Sequence, residues 1–221
     1  MKKQLLAGAI LAALGSGAAH AAFLTGGSFS NALATTEIAQ SGSLNLFDSA
    51  LGNLLSATLT LTGQDEMTIT LTNFAAQSQS ATGNGAVDIL FTSSLGGLIP
   101  ILAGGNPWIS LTNTTGVQTL APGASVAFGP LSDSDSAVLN PAAAMFATPG
   151  GGTFSISCES VSTLGVSGGG GNVGARQATQ AACGASINYE YEPRNQTPEP
   201  ASMALVGLGL LGLGAARRRK A

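Results

Sequence analysis

Between Leu54 and Phe74 the chain changes chemistry at every second residue. Leu55, Ala57, Leu59 and Leu61 alternate with Ser56, Thr58, Thr60 and Thr62, and Met67, Ile69 and Leu71 alternate with Thr68, Thr70 and Thr72. Side chains along a strand point to opposite faces in turn, whereas a helix repeats every ~3.6 residues. The stretch is therefore extended, with its Leu/Ile/Met face on a core and its threonines on the other side, where β-branched residues suit a pleated surface. Gly63-Gln64-Asp65-Glu66 interrupts the pattern and reads as the four-residue loop of a β-hairpin.

The rest of the central chain follows the same style. A first strand or two is expected around Ala34–Gln40, continued by Leu44–Phe47, with a short turn over Phe47–Asn53. Thr82-Gly83-Asn84-Gly85 reads as a turn ahead of a strand over Ala86–Phe91, which places Val87, Ile89 and Phe91 on one side. Gly96–Asn106 reads as a loop. Further strands are expected at Trp108–Thr112, Val117–Leu120 and Ala124–Phe128, and Ser136–Phe146 is the one helix-like patch, cut short by Pro141. Thr153–Val166 and Val173–Glu192 complete the set on either side of Gly168–Gly171, with Ile187, Tyr189 and Tyr191 sharing a face. About eight short strands punctuated by Gly, Pro and Asn predict an all-β fold, a single antiparallel β-sandwich or jelly-roll-like domain.

The two ends have a different character. Lys2 and Lys3, the apolar Leu5–Leu14 and the small-x-small triplet Ala19-His20-Ala21 form a secretory signal peptide over residues 1–21, cut between Ala21 and Ala22. At the other end stand Pro198-Glu199-Pro200, a 16-residue uncharged run Ala201–Ala216, and the basic stop Arg217-Arg218-Arg219-Lys220 before Ala221. As a helix the run spans roughly 24 Å, short of a bilayer core of about 30 Å. Gly207, Gly209, Gly212 and Gly214 weaken it further. Basic residues beside an apolar span stay cytoplasmic, so the preceding domain lies outside. The expected division is a signal helix at 1–21, a passenger domain at 22–192, a linker at 193–197 and a sorting segment with a hydrophobic helix at 198–221.

Pro198-Glu199-Pro200, the Ala201–Ala216 run and Arg217–Lys220 together closely resemble the PEP-CTERM sorting signal of Gram-negative bacteria. The resemblance implies the Sec export machinery and the membrane protease exosortase as partners. It also implies transient anchoring through the C-terminal helix, then delivery to the cell surface or medium, and an association with exopolysaccharide and biofilm. The passenger resembles the choice-of-anchor E domains of such proteins through Phe47-Asp48-Ser49-Ala50-Leu51-Gly52, the stretch Leu59–Gly63 and the late strand Asn188–Tyr191. That resemblance supports architecture and destination and supplies no catalytic residues.

Composition then excludes chemistry. Between Ala22 and Thr197 the chain has two basic residues, Arg176 and Arg194, against ten acidic ones, a net charge of −8, and no lysine. Nucleic acid, whose phosphates need Lys and Arg, is not a partner. The single histidine, His20, leaves with the signal peptide, which removes Ser-His-Asp triads, Cys-His pairs and histidine-bound zinc. Cys158 and Cys183 are the only cysteines, and in an oxidising compartment they are expected to pair across a loop of 25 residues, tying two neighbouring strand regions over the glycine run.

What remains is a short inventory. Asp65, Glu66, Asp88, Asp133, Asp135, Glu159, Glu190 and Glu192 are the acids from which a glycosidase pair would be drawn, and their spacing selects none. Asp133-Ser134-Asp135 offers oxygen ligands for calcium but lacks the rest of an EF-hand loop. Trp108, Tyr189 and Tyr191 are the aromatic residues a sugar-binding strip would use. Asn113-Thr114-Thr115 and Asn195-Gln196-Thr197 are sequons by letters, and the two GxGxxG matches at Gly169 and Gly207 sit outside any βαβ unit. The reading is an exported, non-enzymatic structural or adhesive protein of the surface or extracellular matrix, without metal or cofactor. A carbohydrate-binding module and a carboxylate-dependent glycoside hydrolase are the alternatives.

Overall fold

A computed structural model describes residues 21–194 and position 207. The expected signal helix over residues 1–20, the sorting motif Pro198-Glu199-Pro200, the hydrophobic helix and Arg217–Lys220 lie outside the described residues. Among the described residues no helix is long and apolar enough to cross a membrane.

The domain is all-β, as its alternation requires, and its strands form two antiparallel sheets packed face to face. The first sheet runs β1 (Ala22–Ser30), β12 (Val173–Pro193), β5 (Gly52–Asn73) and β9 (Ser125–Leu139), with β2 (Ala34–Thr35) beside β12. The second runs β3 (Ala39–Asn45), β11 (Thr153–Gly168), β6 (Gln79–Ser93) and β7 (Ile109–Thr114), with β8 (Gln118–Leu120) on β6. A two-residue parallel pair, β4 (Phe47–Asp48) and β10 (Ala147–Thr148), closes one end. The core lies between the sheets. It takes Ala57, Leu59, Leu61, Met67, Ile69 and Leu71 from β5 and the alternate residues Val87, Ile89 and Phe91 from β6, all buried, whereas Leu55, expected on the same face, is exposed because a bulge shifts the register there.

The expected hairpin at Leu54–Phe74 is instead one strand of 22 residues, about 70 Å long if straight. The period does not break at residues 63–66: Gly63 and Asp65 point inward and Gln64 and Glu66 outward, in step with both flanks. Gly63 is there because the opposite sheet leaves no room, since a Cβ would stand 2.6 Å from Ile89 Cδ1 and 2.9 Å from Ile109 Cγ2. Thr82–Gly85 is likewise no turn but the middle of β6, and a Cβ on Gly83 would stand 2.8 Å from Ile69 Cγ2. Glycines on each sheet thus receive isoleucines from the other. Polar and small residues that look like turns are concessions to close packing.

Four smaller expectations also change. The early strands begin sooner, with β1 at Ala22, and Gly96–Asn106 contains a short helix, α1 (Ile99–Gly105), that buries Leu102. Ser136–Phe146 is not helical: β9 continues to Leu139 because it pairs with β5 from Thr72↔Ser125 to Leu59↔Leu139, leaving one 3-10 turn at Ala143–Met145. β12 runs through Pro193, one residue past the expected domain limit. β9 is an edge strand, mostly exposed and interrupted by Pro130, which an edge tolerates because its outer amides need no ladder partner.

Candidate functional site

The last described residue of the passenger is Arg194. Its backbone N–H donates to Leu51 O at 3.2 Å, which fixes where the chain leaves the fold. The last residues of β12 pair on one side with the start of β1, Ala22↔Tyr191, and on the other with the start of β5, Pro193↔Gly52. Ala21, exposed, and Ala22, the first paired residue of β1, therefore stand beside the exit of the sorting tail. The expected signal cut and Arg194 thus lie at one end of the sandwich. A depression of about 590 Å³ beside the exit is lined by Ser49, Gly52, Leu54, Ala144, Glu192 and Arg194.

Aromatic packing holds that end in place. Phe47 meets the rings of Tyr189 at 5.8 Å and Tyr191 at 5.1 Å, and Phe146 meets Phe154 at 5.6 Å. Tyr189 is buried, and its hydroxyl donates to Asn45 O at 2.7 Å. Burial pushes its phenol well above the usual tyrosine range. Trp108 is spent in the same way, donating from Nε1 to Leu102 O at 2.8 Å. The three aromatic residues expected for a sugar-binding strip are thus turned to packing.

Cys158 and Cys183 form the disulfide, with Cα atoms 6.6 Å apart. They tie regions that are neighbours in sequence, but β11 and β12 belong to opposite sheets, so the bond crosses the core. Closing a loop of this length is worth about 3 kcal/mol on the chain-entropy account.

Three of the acids share one surface depression of about 320 Å³: Asp65, Glu66 and Asp133, with Asp65 and Asp133 cross-strand partners; the other candidates stand apart from it. Asp65 is buried on β5, accepting from Asn113 Nδ2 at 2.7 Å and from the Asp133 backbone N–H at 2.9 Å. Burial pushes its carboxyl up, the two hydrogen bonds pull it back, and the neighbouring Asp133 charge pushes it up again. Asp133 accepts from Thr112 N at 2.9 Å, which joins edge strand β9 of one sheet to edge strand β7 of the other. Asp133 and Asp135 also accept from the Ser134 and Ser136 backbone N–H groups at 2.9 and 2.7 Å. The candidate calcium triplet is thus occupied with its own backbone, and among the described residues no three His, Cys, Asp or Glu converge to hold a metal. Asp88 accepts from Ser110, Glu190 accepts from Ser56 Oγ at 3.1 Å, and Glu66, Glu159 and Glu192 are exposed on separate strands.

Two residues that matter were not legible in the sequence as such. Asn113, a sequon by letters, is buried and spent on Asp65. Asn73, at the far end of β5, is fully buried, and its Nδ2 lies 2.9, 3.1 and 3.0 Å from the carbonyls of Gln77, Leu120 and Ala121. The only signal for Asn73 was an amide ending an apolar-periodic strand.

Comparison with known proteins decides the role of the tail. Residues 196–220 match the PEP-CTERM protein-sorting motif. The motif marks an exported protein that exosortase processes, held transiently in the membrane before surface or extracellular release. No curated protein matches the chain. Among solved structures the chain is similar to the tobacco streak virus coat protein, at 10% identity over 85% of this chain and 96% of that one, with a TM-score of 0.22. It is also similar to a turnip yellow mosaic virus structure, at 9% identity over 82% and 98%, with a TM-score of 0.20. A structure of the infectious bursal disease virus Gt strain matches at 9% identity over 87% and 49%, with a TM-score of 0.19. At these scores the likenesses carry no argument.

Proposed function

We propose that the passenger is a non-enzymatic structural or adhesive protein of the cell surface or extracellular matrix, associated with exopolysaccharide or biofilm. On this reading it leaves through the Sec machinery, and exosortase releases it near Pro198-Glu199-Pro200. The observation that carries the reading is the sorting motif at residues 196–220, two residues beyond the point where β12 hands the chain over at Arg194. Three features support it. The passenger resembles choice-of-anchor E domains. Of the three acids that share a depression, Asp65 and Asp133 are engaged as hydrogen-bond acceptors. The outer face of the first sheet carries Thr58, Thr60 and Thr62 and, beyond Gln64 and Glu66, Thr68, Thr70 and Thr72 along β5, a hydroxyl-rich surface with one carboxylate in the row, suited to uncharged polymers.

Intact mass and cell fractionation from the native host, with and without exosortase, test the reading. The expected result is an extracellular species ending near Thr197–Pro200 that is absent when exosortase is deleted. An uncut chain resident in the membrane of both strains would make Ala201–Ala216 a plain anchor and remove the basis for a matrix role.

A further inference from the structure

We propose that the end of the sandwich from which the sorting tail emerges rests on the lipid surface while the chain is anchored, through Phe23, Leu24, Leu51 and Leu55. This rests on the reading of the tail as a transient membrane anchor. The four side chains are 78%, 36%, 45% and 47% exposed. They stand on three neighbouring strands, or in the turn leading into one. Phe23 and Leu24 pair with Glu190 and Tyr189, Leu55 lies at the bulge where β12 steps from Glu190 to Tyr191, and Leu51 accepts the Arg194 amide. Phe23, opposite Glu190, faces outward, and Leu24, opposite the buried Tyr189, faces the inner side, so with β1 and β5 two strand spacings, about 10 Å, apart, the four ring the end of the sandwich and do not share one sheet face. The opposite end also exposes apolar side chains, Phe74, Val117, Val126 and Val166, whereas Val138 and Val161 stand singly, so it is the tether and not apolar exposure alone that selects this end.

The length of the connection identifies the occupant. Asn195–Pro200 is six residues between Arg194 and the apolar run that begins at Ala201. Fully extended, they reach at most about 22 Å, whereas the domain extends about 70 Å along β5. The exit end therefore stays within that reach of the bilayer surface while the chain is anchored. An apolar rim held at that distance meets the interface at high effective concentration, so contacts too weak to bind a free domain are engaged while the tether holds and lost when it is cut. Processing would then both sever the anchor and release the face. The charged groups at this end are Asp48, Glu190, Glu192 and Arg194. Asp48 accepts from Ala50 and Gly150, and Glu190 from Ser56. With acids in excess, attraction to anionic lipid cannot drive the contact, which is apolar and insensitive to salt.

The test uses the full chain with its tail, reconstituted into vesicles of phosphatidylethanolamine and phosphatidylglycerol without exosortase. An environment-sensitive dye is placed on Asn53→Cys, between Leu51 and Leu55, or on Ala121→Cys at the opposite end, and lipids with spin-labelled headgroups act as quencher. Quenching at position 53 should exceed that at 121 several-fold and be unchanged by salt. The double variant Leu51→Ser, Leu55→Ser should bring it down toward the level at 121. A difference that survives the double variant would mean that the tether alone holds the domain close, and the contact is overturned. Equal quenching at both positions in a chain that floats with the vesicles overturns docking while leaving anchoring intact. A chain that does not float overturns both. Shielding of position 53 that requires added exosortase assigns the face to the protease instead of lipid.

Discussion

At the exit end Phe47, Phe146, Tyr189 and Tyr191 close the sandwich ring against ring, with one phenol donating to a carbonyl. At the far end the same task falls to Asn73, whose amide gathers the Gln77, Leu120 and Ala121 carbonyls while its Oδ1 accepts from Ala75 N at 2.9 Å. The difference follows from what each end must do. The exit end carries the strand that continues into a membrane tail, and ring packing spreads load over many contacts without fixing any one backbone group. The far end is built of turns, Ala75–Ser78, Ala121–Ala124 and Gly168–Asn172, which leave carbonyls that need a donor. A buried amide gives turns a defined shape, and rings give strands a stiff base.

The largest effect should come from breaking the exit end. Phe47→Ala removes a fully buried ring in contact with both tyrosines and should cost about 3–5 kcal/mol in urea unfolding. Hydrogen exchange should quicken at the ends of β1, β5 and β12 near Ala22, Gly52 and Pro193, while the Asn73 turns keep their protection. Equal loss at both ends would show that the two closures are one cooperative unit. Next, Asn73→Ala leaves buried carbonyls without a donor and should cost about 1–3 kcal/mol. Exchange should now quicken in 118–124 and not at the exit. A loss confined to the exit would reverse the comparison.

The smallest effect concerns Asp65, between the ends. Its folded carboxyl sits above the usual value, so the folded chain holds the proton more tightly than the unfolded one. Asp65 therefore contributes stability at low pH that is lost as pH rises from about 4, the unfolded carboxyl value, through its raised folded value. Asp65→Asn lacks this titration. The stability of the parent minus that of the variant, from urea curves at a series of pH values, should fall as pH rises over that window, with neither end selectively exposed. A difference that grows with pH would mean that the Asn113 and Asp133 hydrogen bonds outweigh desolvation.

The sequence by itself determined the class of fold, the faces of its strands and the destination of the chain. Those properties are local: alternation at Ala57–Thr62 and Met67–Thr72, the side assignment of Val87, Ile89 and Phe91, and a sorting tail that is a linear signal; Leu55, which alternation assigns to the core, is exposed at a bulge. Tertiary structure alone decided that residues 52–73 form one strand, that Thr82–Gly85 is mid-strand and that β9 continues through Ser136–Leu139. In each case the deciding partner is remote: Ile89 and Ile109 over Gly63, Ile69 over Gly83, and β5 alongside β9. The disulfide pairing was legible because there are two cysteines, but that it crosses between sheets was not, since sequence distance does not say which layer a strand joins. The acids were legible as residues and not as roles. Asp65 looks like a loop residue until Asn113, 48 positions away, is brought against it by the facing sheet. A glycine or carboxylate takes its meaning from what stands opposite, and in a sandwich that is set by long-range pairing.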